Sequence, residues 1–243
     1  MKKKAVCLLS GGLDSSVTAF LAKHQGYDVY ALSFRYGQRH AKELACARKV
    51  AQAVGAKDHI IVEVPLKRFG GSALLTSSSQ KIKNHPLSDI GRTIPSTYVP
   101  ARNTVFLALA LAYAETINAD AIFIGANAVD YSGYPDCRPE YLDAFQHLAS
   151  LATRTGVRGK KIRIVAPLLK RSKAEIVRTG AKVHTPFELT WSCYRGGTKA
   201  CGRCDSCLLR LKGFQEAGVR DPIEYATAPS WYTLASPRQR VSP

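Results

Sequence analysis

Two groups of residues in this chain have types and spacings that can do chemistry. The first is Ser10-Gly11-Gly12-Leu13-Asp14-Ser15. It follows an apolar run, Ala5 to Leu9, that reads as a buried strand. It precedes Ser16 to Ala22, which reads as a helix with Val17, Phe20 and Leu21 on one face. Strand, glycine loop and helix start in this order make an anion site, because unpaired N–H groups and the helix dipole both favour negative charge there. Adjacent glycines let the backbone come close to phosphate oxygens. The stretch Leu9, Ser10, Gly11, Gly12, Leu13, Asp14, Ser15 and Ser16 is therefore the candidate nucleotide-phosphate loop. It is not a Walker loop, which needs Gly-Lys-Ser/Thr after four spacers. It is not a dinucleotide fingerprint either, which needs Gly-x-Gly-x-x-Gly.

The second group is Cys193, Cys201, Cys204 and Cys207, spaced Cys-x7-Cys-x2-Cys-x2-Cys. Four thiolates satisfy a tetrahedral zinc, and two-residue spacers bring neighbouring sulfurs onto one ion through a tight turn that Gly202 suits. With every ligand position filled by protein, such a zinc is structural, one per chain. Repeated Cys-x2-Cys also suits an iron–sulfur cluster, and zinc is favoured. Cys7 and Cys46 fall on a strand and on an apolar helix face and read as core. Cys137 lies in a polar loop between Asp136 and Arg138 and is a candidate for substrate contact.

The composition narrows the class of function. Among 243 residues, 35 Lys plus Arg stand against 18 Asp plus Glu, a net charge of +17. That balance suits a polyanionic partner, nucleotide or RNA, and equally a basic solvated surface, since the charges form no long run. No run of 18 apolar residues is present, so no transmembrane helix is expected. Met1-Lys2-Lys3-Lys4 resembles a signal n-region, but the apolar run stops at Ser10 without a cleavage site and reads as the first strand. Clustered cysteines of metal-ligand spacing point to a reducing cytoplasm.

The elements that must position these residues alternate. Strands are expected at Ala5–Leu9, Val29–Phe34, His59–Val64, Asp120–Ile124 and Ile162–Ala166. Helices are expected at Ser16–Ala22, Ala41–Val54, Asn103–Ile117, from Pro139, and from the capping box Ser172-Lys173-Ala174-Glu175 to Gly180. This order predicts an α/β fold, a five-stranded parallel sheet with helices on both faces. Gly70–Thr97 has no clear period and is expected to be mobile near the site. In such sheets ligands bind beyond the carboxyl ends of the strands, at the switch in strand order. Ser10–Ser15, Tyr36–His40 and Asn127–Arg138 should therefore converge on one crevice.

The first loop resembles the pyrophosphate loop (PP-loop) of ATP pyrophosphatases, which cleave ATP between the α- and β-phosphates. Further stretches, Phe34–His40, Tyr98–Asn103, Gly125–Glu140 and Trp191–Tyr194 with the cysteines, resemble the 7-cyano-7-deazaguanine synthase family of queuosine precursor biosynthesis. The likeness runs from Lys4 to about Tyr225; Ala101 departs from it, where glycine is expected. It implies an adenine nucleotide alpha hydrolase-like PP-loop domain over 1–185, a zinc-binding segment over 186–225 and a flexible tail over 226–243. It implies a C–N forming ligase in which ATP, with Mg2+, adenylates 7-carboxy-7-deazaguanine, free ammonia gives the amide, and a second activation gives the nitrile, preQ0.

On this resemblance Asp14, Arg39 and Arg102 are the catalytic candidates, Asp14 as a helix cap or a magnesium neighbour. Arg39, Arg102, Lys170 and Arg171 supply the cations a Walker lysine would have given. Gln38, His40, Asn127, Asp130, Ser132, Tyr134, Asp136, Cys137 and Arg138 are the candidate substrate contacts. A homodimer is implied, and direct tRNA binding is not expected. The rival readings are a PP-loop tRNA thiolation enzyme, with Cys137 handling sulfur, and a zinc module that binds nucleic acid.

Overall fold

The computed structural model describes residues 2–39, 42–82, 84–127 and 134–234. Its centre is a parallel sheet of five strands in the order β3-β2-β1-β4-β5. The strands are β1 (Lys4–Leu8), β2 (Asp28–Arg35), β3 (Asp58–Glu63), β4 (Ala121–Phe123) and β5 (Arg163–Val165). The helices are α1 (Leu13–His24), α2 (Lys42–Ala53), α3 (Arg102–Thr116), α4 (Pro139–Leu151), the single turn α5 (Arg154–Val157), α6 (Lys173–Lys182) and α7 (Asp205–Ala217). Five strands, their parallel pairing and the alternation with helices agree with the expectation from sequence.

β1 is the hub because successive side chains point to opposite faces. Val6 and Leu8 face a core built with α3 and α4, through Leu107, Leu111, Leu142 and Phe145. Ala5, Cys7 and Leu9 face the other core, with Ala19 and Ala22 of α1 and Ala47, Val50 and Val54 at α2. A strand buried on both sides is apolar throughout, which is why Ala5–Leu9 shows no alternation. Cys7 is fully buried in this layer. Burial drives its thiol far above the ordinary range.

A third layer lies outside α1. Leu13 and Val17 of α1 pack on Ile176 and Val177 of α6, on Leu211 and Phe214 of α7, and on Trp191 and the four clustered cysteines. The helix α7 is absent from the sequence reading, which treats the cysteine region as a polar turn. Its apolar spacing at Leu211 and Phe214, and Gly218 at φ +71° as its C-cap, are the signals that mark it. The first part of the stretch expected to be a tail, 226–234, packs back on this layer. Tyr232 is buried, and its hydroxyl accepts from the Asp221 amide at 3.0 Å. Among the described residues no helix is long and apolar enough to cross a membrane.

The sheet order changes direction between β1 and β4, so the segments leaving their carboxyl ends part and leave a crevice. One backbone feature at its rim is unusual. Ala101, just before α3, sits at φ 52° and ψ 24°, in the left-handed region. That turn starts α3 so that Arg102 faces the crevice. A side chain in this conformation costs roughly 1–2 kcal/mol, part of which glycine would return. Ala101→Gly is expected to stabilise the fold by about 0.5–1 kcal/mol, raising the melting midpoint by roughly 1–4 °C. Differential scanning calorimetry checks this; a lower midpoint would show that the turn carries no strain.

Candidate active site

The crevice is a cavity of about 260 Å³ at the carboxyl ends of β1, β2 and β4. Its floor and one wall are apolar, formed by Leu8, Leu32, Phe34, Leu44, Phe106 and Ile124. Phe34 and Phe106 stack with ring centroids 3.9 Å apart. The phosphate loop forms the opposite side. Gly11 adopts φ +82°, while Gly12 is extended and caps α1, with no side-chain cap on the helix amides. The α1 N-terminus therefore keeps N–H groups for a ligand. Ser10 and Ser15 share a hydroxyl–hydroxyl hydrogen bond of 2.9 Å, and the Gly12 amide donates to Ser10 Oγ at 3.2 Å. Ser16 Oγ donates to the Gly12 carbonyl at 2.7 Å, tightening the first turn.

Three neighbours fix the loop. A Cβ at position 11 would lie 2.3 Å from the Glu43 carbonyl oxygen and 2.6 Å from the Ala47 amide nitrogen, so α2 touches the loop backbone to backbone. The Gly11 carbonyl accepts from the Trp191 amide at 2.8 Å, which brings in the segment that leads to the cysteines. Beyond β4, a Cβ at Gly125 would lie 2.8 Å from the Ser15 amide nitrogen.

Asp14 does not cap α1. Both of its carboxylate oxygens accept from Lys173 Nζ, at 3.0 and 2.8 Å. The Lys173 side chain is only 8% exposed. Lys173 sits in the first turn of α6 behind the Ser172–Glu175 capping box, which the structure retains. Its stem lies over Gly213 of α7, where a Cβ would come within 2.4 Å of Lys173 Cγ. From sequence Lys170 and Arg171 are candidate cations, while Lys173 stands only as part of the capping box. Lys170 is exposed. Arg171 is exposed and donates to Thr179 Oγ1 and the Pro167 carbonyl. Among the described residues, neither lines the cavity and Lys173 does.

The other candidates divide. Arg102, Gln38, Asn127, Tyr134 and Cys137 line the cavity. Arg102 donates to the Tyr36 hydroxyl at 3.4 Å and lies 5.8 Å from that ring's centroid. Burial works against its charge, yet Tyr36, Tyr134, Asp136 and Cys137 hold it firmly protonated. Gln38 is spent on its own turn, accepting from the Tyr36 amide at 2.9 Å and donating to the Phe34 carbonyl at 3.1 Å. Asn127 donates to the Arg171 carbonyl at 2.6 Å and so ties the β4 and β5 loops together. Arg39 stands apart, donating to the carbonyls of Ala73, Ser78 and Gln80. It orders the start of the 70–97 stretch, which Arg195 also holds, by donating to Asn84 Oδ1 at 2.9 Å. Asp136 is buried and accepts from the Asn103 amide at 2.9 Å, capping the start of α3. Arg138 is exposed and bonds the Pro135 carbonyl. His40, Asp130 and Ser132 lie outside the described residues.

Burial pushes the Cys137 thiol up to about 12, and Asn103 Nδ2 donates to its sulfur at 3.2 Å. At neutral pH it is a thiol and offers no sulfur nucleophile, as a thiolation site would need. Glu43, an ordinary first-turn residue in the sequence, also lines the cavity. Burial raises its carboxyl to about 7; Arg102 opposes that and Cys193 adds to it.

The four cysteine sulfurs lie within 4.8 Å of one another, with Cys201 and Cys207 at 3.9 Å. A tetrahedron of zinc–sulfur bonds of about 2.3 Å has edges of about 3.8 Å. Amide N–H groups of Arg195 and Cys201 point at Cys193 Sγ, and that of Cys204 at Cys201 Sγ, at 3.3–3.4 Å. Such donors favour thiolate over thiol, so the donor set fits a thiophilic metal. Gly202 holds the knuckle at φ +71°, where a Cβ would meet the Thr227 carbonyl oxygen at 1.6 Å.

Lys173→Gln keeps the length of the chain but removes the charge. It is expected to weaken ATP binding by about 10- to 100-fold, the worth of a hydrogen bond to a charged group, roughly 1.5–3 kcal/mol. Titration calorimetry reads this directly; unchanged affinity would remove Lys173 from the phosphate site.

Comparison with known proteins identifies the family. The family model described as "Queuosine biosynthesis protein QueC" matches residues 4–218. The 7-cyano-7-deazaguanine synthase of Anaeromyxobacter dehalogenans is 56% identical over 227 residues, covering 92% of this chain and 96% of its own. That of Thermoplasma volcanium is 52% identical over 233 residues, covering 96% and 95%. Among solved structures, NMN synthetase from Francisella tularensis is 18% identical at a TM-score of 0.48, covering 90% of this chain and 79% of its own.

Proposed function

We propose a route through this site from one premise: the chain belongs to the 7-cyano-7-deazaguanine synthase family. It is an enzyme of preQ0 formation in queuosine precursor biosynthesis. In the route, ATP lies with its phosphates on the α1 amides and the hydroxyls of Ser10 and Ser15, and its α-phosphate faces the apolar cavity. The carboxylate of 7-carboxy-7-deazaguanine attacks that phosphorus and pyrophosphate leaves. Ammonia then displaces AMP to give the amide. The amide oxygen attacks a second ATP, and loss of the second AMP leaves the nitrile.

The observation that carries this route is the pairing of an uncapped helix start with a buried lysine across the same loop. The dipole and the N–H groups bind phosphate, and Lys173 supplies a cation close to where charge builds up during transfer. Asp14 holds that lysine in place. Asp14 is also the carboxylate that would meet a magnesium ion carried in with ATP, whose chemistry would be to neutralise phosphate charge. Arg102 is suited to the substrate carboxylate, and Phe34, Phe106 and Tyr36 supply flat surfaces for a deazapurine. Low polarity around the reacting centre strengthens each of these attractions and keeps water from the acyl adenylate. Arg39 works through the 70–97 stretch rather than on the phosphates. His40, Asp130 and Ser132 stay with the purine-reading set. Free ammonia is the nitrogen source, the chain acts as a cytoplasmic homodimer, and residues 1–185 form the nucleotide-binding unit that the cysteine segment braces.

Cys193, Cys201, Cys204 and Cys207 would hold a zinc ion, which would supply a cross-link and take no part in the reaction. Metal analysis of protein purified without added metal is expected to give about one zinc per chain, with the protein colourless. Iron with absorbance near 400 nm would overturn the assignment.

The reaction is tested by incubating the protein with ATP, magnesium, ammonium and 7-carboxy-7-deazaguanine. Mass spectrometry is expected to find the nitrile with about two AMP for each product molecule, and the amide at early times. Adenylation of other carboxylates with no amide or nitrile from this acid would sink the substrate assignment.

A further inference from the structure

A nitrile nitrogen carries no hydrogen, whereas ammonia brings three. Every turnover must therefore remove three protons from nitrogen. One leaves after ammonia has formed its bond to the acyl carbon, when the C–O bond to AMP breaks and the neutral amide results. One leaves as the amide oxygen bonds to the second α-phosphorus and the imidate forms. The last leaves as the C–O bond to the second AMP breaks and the nitrile forms. None of these steps involves an oxidant or reductant. All of them need a proton acceptor within reach of the reacting carbon.

The cavity offers few. Among the described residues lining it, the carboxyls are Asp14 and Glu43. Asp14 is committed on both oxygens to Lys173. Arg102 is held protonated. Tyr36 and Tyr134 are phenols that burial raises further, and Cys137 is a thiol for the same reason. Glu43 differs from all of these. Its carboxyl makes no hydrogen bond or ion pair among the described residues, though the Arg102 charge is felt there. Its backbone is fixed against the loop, since a Cβ at Gly11 would lie 2.3 Å from the Glu43 carbonyl oxygen. A carboxyl on a residue that lines the cavity with the phosphate loop, within the field of Arg102 and with no hydrogen bond or ion pair of its own among the described residues, is free to meet a group on the substrate.

We infer that Glu43 is a catalytic base of this enzyme, accepting protons from the ammonia-derived nitrogen on the way to amide and nitrile. This deepens the route proposed above and rests on its use of ammonia and two adenylations. Activation of the acid needs no such base, because a carboxylate attacks the α-phosphorus without losing a proton. The two halves of the chemistry therefore separate the roles Glu43 could have.

The test is Glu43→Gln, of equal size, measured in two assays. In the absence of ammonium, exchange of labelled pyrophosphate into ATP driven by 7-carboxy-7-deazaguanine reports binding, folding and the first activation. With ammonium, mass spectrometry reports amide and nitrile. The expected result is exchange within about threefold of the parent with amide plus nitrile formation lowered at least about 100-fold, the usual worth of a positioned base. Glu43→Asp is expected to recover part of the nitrile rate. Exchange that falls in parallel with nitrile formation would overturn the inference, making Glu43 a binding or structural residue. So would nitrile formation within threefold of the parent. Failure of the underlying route is distinguishable, since the parent protein would then make no nitrile from ammonium in the same assay.

Discussion

The structure depends on a missing Cβ at Gly11. At that point the phosphate loop, the start of α2 and the chain leading to the cysteines meet backbone to backbone. The left-handed φ of +82° turns the chain so that its carbonyl accepts from Trp191 while the following residues enter α1 with their amides free. A methyl group there would have to displace the Glu43 carbonyl and the Ala47 amide, both in a helix anchored by Val50 and Val54 against the sheet. The contact serves chemistry as well as packing. It brings α2, whose Glu43 lines the cavity, backbone to backbone against the loop that starts α1.

The cation opposite the loop comes from far along the chain. In a Walker loop the lysine is part of the loop itself. Here Lys173 arrives 159 residues after Asp14, from a helix in the outer layer. Its stem needs the space left by Gly213, so α7 must also be in place. That helix is braced by Arg210, which is 1% exposed and pairs with Asp221 through two bonds of 2.6 and 2.9 Å. Its third nitrogen donates to Thr190 Oγ1 at 2.7 Å. A buried pair adds little net stability unless its remaining hydrogen-bonding groups are satisfied, and these are, with Tyr225 donating to Asp221 at 2.7 Å. Removing either partner would leave a charge stranded beside the segment that holds Gly11.

Much of this was legible in the sequence, and what was not has a common cause. The strands read clearly because β1 and β2 are apolar runs buried on both faces, and the loop read clearly because glycines and a helix start are local features. The cysteine spacing is local too. Lys173 stands at an ordinary helix position, and only its distant partner gives it meaning. Arg39 reads from sequence as a cation for phosphate and Arg138 as a substrate contact, and in the structure both donate to carbonyls of nearby loops. Asp136 reads from sequence as a contact to the purine edge, and in the structure one of its oxygens accepts from the Asn103 amide at the start of α3, a contact made by the packing of two loops. Glu43 carried no signal at all in the sequence. An acidic residue in a first helical turn is ordinary, and its exposure to a cavity depends on how closely α2 approaches Gly11.

The position of the cysteine cluster explains why a site of phosphate and acyl chemistry would include a metal that does not react. Trp191 gives its amide to Gly11, and its indole nitrogen donates to the Cys193 carbonyl at 3.1 Å. Lys42, next to Glu43, lies 3.3 Å from the centroid of that indole ring and donates to the carbonyls of Gly197 and Thr198. The stretch from 191 to 207 has little regular structure of its own before α7, so its conformation must come from side-chain links. A metal held by four thiolates restricts such a stretch far more than its few hydrogen bonds do. Its effect would pass two residues along the chain to Trp191, whose amide donates to the Gly11 carbonyl. In the proposed route the cluster would thus act mechanically, by holding the loop whose uncapped amides would receive the phosphates.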